Sequence, residues 1–128
     1  MGTLTPEFSV APYIDRGEVH FTAKGLWDEE TLVAFQRKII EAGQPLFSEG
    51  KRMRVFGDLT GFVTQPPEIV EGIRIIMRES AKLGADKTAI VSDSILAAMQ
   101  YKRMDTGLET EIFNQRGDAL AWLRREAA

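Results

Sequence analysis

Residues 18–24 alternate strictly: Val19, Phe21 and Ala23 fall on one face, and His20, Thr22 and Lys24 on the other. A period of two predicts a half-buried β-strand. Upstream, residues 8–14 are weakly extended and carry Pro12, which cannot donate to a ladder, so this run belongs to a short or edge strand. Asp15-Arg16-Gly17 supplies turn chemistry between the two, and together they predict a hairpin. Gly25 closes the second strand. Asp28, followed by Glu29 and Glu30, marks a helix N-terminus, with Trp27 and Leu32 at the staple positions. Leu32, Phe35, Ile39 and Ile40 form the apolar stripe, and Gly43 with Pro45 just beyond predicts the end of this helix.

The pattern then repeats. Residues 52–58, with Met53, Val55 and Phe56, read as a strand, and an unusually apolar loop follows at residues 59–64. Pro66-Pro67 opens a long helix, since proline is tolerated in a first turn, and Ile69, Ile73, Ile76, Met77 and Leu83 supply its stripe up to Gly84. Residues 87–91 are the most hydrophobic strand, as expected where both faces are covered. Ser92-Asp93-Ser94 caps a third helix with Ile95, Leu96, Met99 and Met104 as its apolar positions, broken by Gly107. Residues 109–113 form a last strand. A terminal helix buries Ala119, Leu120, Trp122 and Leu123 and ends on Arg124 and Arg125, cations placed well for its dipole. The order β-β-α-β-α-β-α-β-α predicts an α/β fold: a mostly parallel sheet with an N-terminal β-hairpin, helices covering the sheet, and a single domain over residues 1–128.

Composition narrows the chemistry. Of 128 residues 44% are hydrophobic and 27% charged, which fits a folded domain and excludes a disordered or low-complexity chain. A net charge of −3 argues against a nucleic-acid partner, whose phosphates call for a basic excess. The absence of cysteine removes disulfides, thiolate metal sites and a Cys nucleophile, and a single histidine removes most His-based schemes. No cofactor and no metal are expected. Residues 1–12 lack a basic stretch followed by a long apolar run, so no leader is expected. Met1-Gly2 fails as a myristoylation signal because Pro6 stands where Ser or Thr is needed. No apolar run approaches the ~20 residues of a spanning helix. The expectation is a cytoplasmic protein without an integral membrane segment.

Asp58-Leu59-Thr60-Gly61-Phe62, leaving a strand and leading to a helix, resembles the Asp-Leu-Ser-Gly-Val stretch of STAS domains, whose prototype is the SpoIIAA-like anti-sigma factor antagonist. The wider strings Gly57-Asp58-Leu59-Thr60-Gly61-Phe62-Val63-Thr64-Gln65-Pro66-Pro67-Glu68 and Ile90-Val91-Ser92-Asp93-Ser94-Ile95-Leu96-Ala97-Ala98-Met99-Gln100 are similar to a bacterial branch of that superfamily with a CRAL-TRIO lipid-binding relationship. The resemblance covers residues 18–123 and implies a SpoIIAA-like fold. It departs at one functional position. The antagonists carry a phosphorylatable Ser where the helix after this loop opens; the same count here lands on Pro66-Pro67-Glu68, without a hydroxyl. A phosphate there would act through added charge at the helix dipole, which proline cannot provide. The resemblance therefore implies the shape without the phospho-switch.

The residues that could carry chemistry are few. His20 lies on the polar face of its strand and reads as a surface or half-buried imidazole. Asp58 sits at the carboxyl end of a strand, where open α/β sheets gather ligands. With Thr60, Thr64, Ser92, Asp93 and Ser94 it could anchor a ligand or partner in a cleft; alternatively, Asp58 ties down its own loop while Asp93 or Ser92 caps the third helix. Phe62 and Val63 either pack beneath their loop or line an apolar patch. Met99, Tyr101 and Met104 read as core or flank from their helical spacing. Three functions follow. The first is a non-enzymatic regulatory or interaction module with a protein partner, or a homodimer. The second is a carrier of a hydrophobic small molecule, built on the apolar loop and long helix. The third is a small hydrolase or phosphotransferase using Asp58 and Asp93.

Overall fold

The computed structural model describes residues 4–125; the Met1-Gly2 pair lies outside the described residues. Strands β1 (Glu7–Tyr13) and β2 (Glu18–Lys24) pair antiparallel across a 3-10 turn at Ile14–Arg16, in register from Glu7 opposite Lys24 to Tyr13 opposite Glu18. Pro12 lies on β1, an edge of the sheet, as its missing donor requires. Strands β3 (Met53–Asp58), β4 (Ala85–Val91) and β5 (Glu109–Phe113) follow in parallel, and the spatial order is β1-β2-β3-β4-β5.

That simple order decides where the helices go. Helices α1 (Glu29–Phe47), α2 (Pro67–Leu83) and α3 (Ile95–Lys102) each connect a strand to its next parallel neighbour, always in the same direction across the sheet. Right-handed crossovers then deliver all three to one face. The main core lies there, with Val19, Phe21, Val55 and Ile90 from the strands meeting Phe35, Ile39, Ile73, Met77 and Tyr101 from the helices. The other face is left to α4 (Arg116–Arg124), whose Ala119 and Leu123 pack on Phe56 and Ala89. The predicted alternation of β2 is thereby accounted for: its apolar side faces three helices and its polar side faces one short helix.

Three local expectations are corrected. Helix α1 begins as predicted, Asp28 accepting the Thr31 N–H at 2.8 Å, but it runs through Gly43 and Pro45 to Phe47. Gly43 marks a close approach rather than a stop: a Cβ there would stand 2.7 Å from the Phe47 ring and 3.0 Å from Met53 Sδ. Burial of Ala42 and Leu46 keeps the helix intact across Pro45 in spite of the missing donor. In α2 the stripe holds at Ile69, Ile73, Ile76 and Met77, but Leu83 is exposed. The next buried place goes to Ser80, whose hydroxyl donates to the Ile76 carbonyl at 3.0 Å. In α3 most of the expected stripe is turned outward, although Met104, just past the helix, packs against the core. Ala97 and Tyr101 face the core, while Ile95, Leu96 and Met99 are 80%, 69% and 45% exposed. Among the described residues no helix is long and apolar enough to cross a membrane.

Candidate functional site

At the carboxyl end of β3 the chain turns on Asp58. One carboxylate oxygen accepts the Thr60 N–H at 3.0 Å and the Thr60 hydroxyl at 2.7 Å, the side-chain turn that Asp forms with its own backbone. The Leu59 N–H donates to the Val91 carbonyl at 2.7 Å, carrying the β3–β4 ladder one residue further. Gly61 then takes φ +85°, a left-handed conformation that suits glycine. Its N–H donates to an Asp93 oxygen at 3.2 Å and its carbonyl accepts from the Gly25 N–H at 2.9 Å. The loops after β2, β3 and β4 are thus laced together around residue 61.

The hydroxyls of the next loop are equally engaged. Ser92 Oγ donates to the Ser94 carbonyl at 3.0 Å and accepts the Ser94 N–H at 3.1 Å, and Ser94 Oγ accepts the Ala97 N–H at 3.2 Å. Ser94 is therefore the cap of α3, within the expected Ser92-Asp93-Ser94 stretch, and neither Ser92 nor Asp93 serves as the cap. Phe62 is buried and packs edge-on against Trp27 at 5.3 Å, and Leu59 beside it is fully buried. Both sit in the core beneath the loop.

The structure brings Thr60, Phe62, Thr64, Asp93 and Ser94 together around an open cleft of about 590 Å³, completed by Lys24 and Leu96. Ser92 opens instead onto a neighbouring cleft of about 570 Å³ on the other side of Ser94, shared with Ile95 and Phe113. Asp58 lines neither cleft. Asp58 and Asp93, from different loops, accept from the adjacent Thr60 and Gly61, and among the described residues no group of three or more His, Asp or Glu side chains is placed to hold a metal ion.

Two polar features escaped the sequence reading. Gln65 is buried and holds the loop from inside: its amide donates to the carbonyls of Gly25 at 3.0 Å and Val63 at 2.6 Å, and its oxygen accepts the Trp27 N–H at 2.9 Å. Gln100 of α3 meets the Gln65 backbone reciprocally, at 2.8 Å and 3.0 Å. The only available signal was an amide side chain between an apolar loop and a Pro-Pro pair. On the opposite face of the sheet, Glu18 is 1% exposed and accepts from Arg124 Nε at 3.0 Å, Arg124 Nη2 at 3.2 Å and His20 Nε2 at 2.9 Å. Burial works to raise the Glu18 pKa, but the Arg124 and His20 hydrogen bonds outweigh it and hold the carboxyl below its usual range. His20, in tilted contact with the Tyr13 and Phe56 rings, is held below its ordinary value by burial, against the pull of Glu18 and with help from the Arg116 and Arg124 charges. The Glu18-x-His20 spacing put both on one strand face and could have been read; Arg124, far along the chain, could not.

By sequence, no family model and no curated protein matches this chain. By structure it is similar to an uncharacterized protein of the DUF3478 family from Shewanella loihica PV-4, described as having a SpoIIAA-like fold. The TM-score is 0.72 at 17% identity, covering 93% of this chain and 95% of that one. With the element order, the parallel ladder and the turn at Asp58, this similarity establishes that the chain has a SpoIIAA-like fold.

Proposed function

We propose that the protein is a non-enzymatic interaction module that docks a partner at the carboxyl end of its parallel strands, on the outer face of α3 and the adjoining cleft. The observation that carries this reading is the exposure of Ile95 and Leu96 beside loops in which Asp58, Thr60, Asp93 and Ser94 already hold hydrogen bonds. Asp58, Asp93, Ser92 and Ser94 spend hydrogen bonds on holding the loops, which suits a shaped surface better than a reacting centre. A carrier of hydrophobic small molecules is the weaker reading, because Leu59 is packed in the core and Phe62, though it borders the cleft, is 5% exposed there. Regulation by phosphate at the start of α2 has no acceptor, since Pro66 and Pro67 stand at the cap and first helical position.

Affinity capture with the full chain as bait tests this. Leu96→Asp, at an exposed position, is expected to abolish retention of a specific partner without lowering thermal stability. Retention unaffected by that substitution would contradict the reading.

A further inference from the structure

Helix α3 is apolar on both sides. Ala97 and Tyr101 fill the core, and Ile95, Leu96 and Met99 form a second stripe facing solvent. A helix apolar all round is ordinarily covered all round. The charges at its two ends say what covers the outer side. Ile95, Met99 and Arg103 recur every four residues and so share one face. Arg103 is exposed and, among the described residues, has no carboxylate partner. Its neighbour Lys102 is engaged, by Glu111 at 3.1 Å and by the Thr110 carbonyl. At the other end Asp93 is exposed and accepts the Gly61 N–H; it shares the cleft with Lys24 but, among the described residues, is in no ion pair. The two ends of α3 are thus flanked by an acid and a base that are in no ion pair, about 15 Å apart, with an apolar ridge between them.

We infer that the outer face of α3 is a self-association surface, occupied by α3 of a second copy of this chain running antiparallel across a two-fold axis near residue 98. This rests on the reading of α3 as the docking element and names its occupant. Antiparallel pairing sets Asp93 of each copy opposite Arg103 of the other, lets the Ile95 and Met99 ridges interdigitate, and opposes the two helix dipoles. Parallel pairing would place Arg103 against Arg103. A two-fold contact must be self-complementary, and this charge pattern is. A seam built on one short helix is at the small end of interface sizes, so the dimer is a transient one.

Sedimentation velocity on the full chain over a dilution series tests the inference. The wild type is expected to show a reversible monomer–dimer equilibrium. Ile95→Asp and Arg103→Asp should each weaken it by about tenfold or more, the effect of losing roughly 1.4 kcal/mol. The double exchange Asp93→Arg with Arg103→Asp should restore it to near the wild-type value. Because the chain has no cysteine, M99C can be cross-linked with a short bis-maleimide, and I75C on the exposed side of α2 serves as the control. Cross-linking through M99C and not I75C is expected. Circular dichroism melts confirm that each variant folds. A chain monomeric at every concentration, a dimer indifferent to Ile95→Asp and Arg103→Asp, or cross-linking through I75C alone would overturn the inference. So would a monomer that binds anionic phospholipid vesicles through Ile95, since lipid would then be the occupant. A monomer whose capture of another protein is lost in Leu96→Asp would overturn the dimer and leave the docking reading standing. Indifference in both experiments removes both.

Discussion

Arg124→Ala should destabilise the protein more than Glu18→Ala, although each removes the same ion pair. Glu18 is buried and receives three hydrogen bonds, two of them from Arg124, whose side chain is 37% exposed. Removing the arginine strands a buried carboxylate with His20 as its remaining side-chain donor. Breaking a buried pair in this way costs about 3–5 kcal/mol. The exposed guanidinium and incoming water reduce that here, to about 3 kcal/mol. Removing the glutamate leaves Arg124 free to rehydrate and costs about 2 kcal/mol, mostly lost charged hydrogen bonds. Once either partner is absent the other contributes little, so the double variant should lose about 3 kcal/mol, leaving a coupling energy of about 2 kcal/mol. Urea unfolding of the four proteins gives these values. Trp122 on α4 and Trp27 on the opposite face report whether the terminal helix leaves with the rest. A coupling below about 0.5 kcal/mol, the range of independent sites, or a larger loss from Glu18→Ala, would refute the reasoning.

The same cluster sets an acid dependence. Both folded-state pKa values are lowered, so in each case the unfolded chain binds more protons in the window between the two values. Stability should therefore fall as pH drops below 6.5, through His20, and again below 4.5, through Glu18; His20→Gln should remove the first step in pH-dependent urea melts. Tyr101 is fully buried and its hydroxyl lacks a protein partner, and burial holds its phenol above the usual range. Tyr101→Phe should be neutral or stabilising by up to about 1 kcal/mol in thermal unfolding, and a comparable loss would reveal a hidden partner. Gly43→Ala should cost about 1–3 kcal/mol, against its helix propensity, because the added methyl meets the Phe47 ring and Met53 Sδ. Gln65→Leu should cost about 2–3 kcal/mol by orphaning the Trp27 N–H and leaving the Gly25 carbonyl only the long bond from the Val63 N–H, and should loosen residues 59–65 in hydrogen exchange.

Where hydrophobic periodicity was strong, structure was legible. Strand β2, strand β5 and the start of α2 fall where alternation, turn residues and Pro66-Pro67 place them, and the order of elements settles the parallel sheet. What was not legible depends on tertiary packing. Gly43 and Pro45 spell a helix end, yet Gly43 serves the approach of Phe47 and Met53 and the helix continues. In α3 either side could have been the buried one, since Ile95 and Met99 are as apolar as Ala97 and Tyr101; packing of the Tyr101 ring decides. Of the candidate site, Thr60, Thr64, Asp93 and Ser94 were legible because the ends of parallel strands gather in space. Gln65 was not, because its hydrogen bonds run to Gly25 and Trp27, about 40 residues earlier in the chain. Glu18 and Arg124 are joined only when the last helix closes over the second face.

The proposed pairing of two copies through the outer side of α3 has one direct test. Amide-resolved NMR spectra across a dilution series test it residue by residue. Concentration-dependent shifts are predicted at residues 59–64 and 93–104 and nowhere on α1 or α4. Spectra that do not change on dilution, or that change along the Val33–Arg37 face of α1 instead, would contradict it.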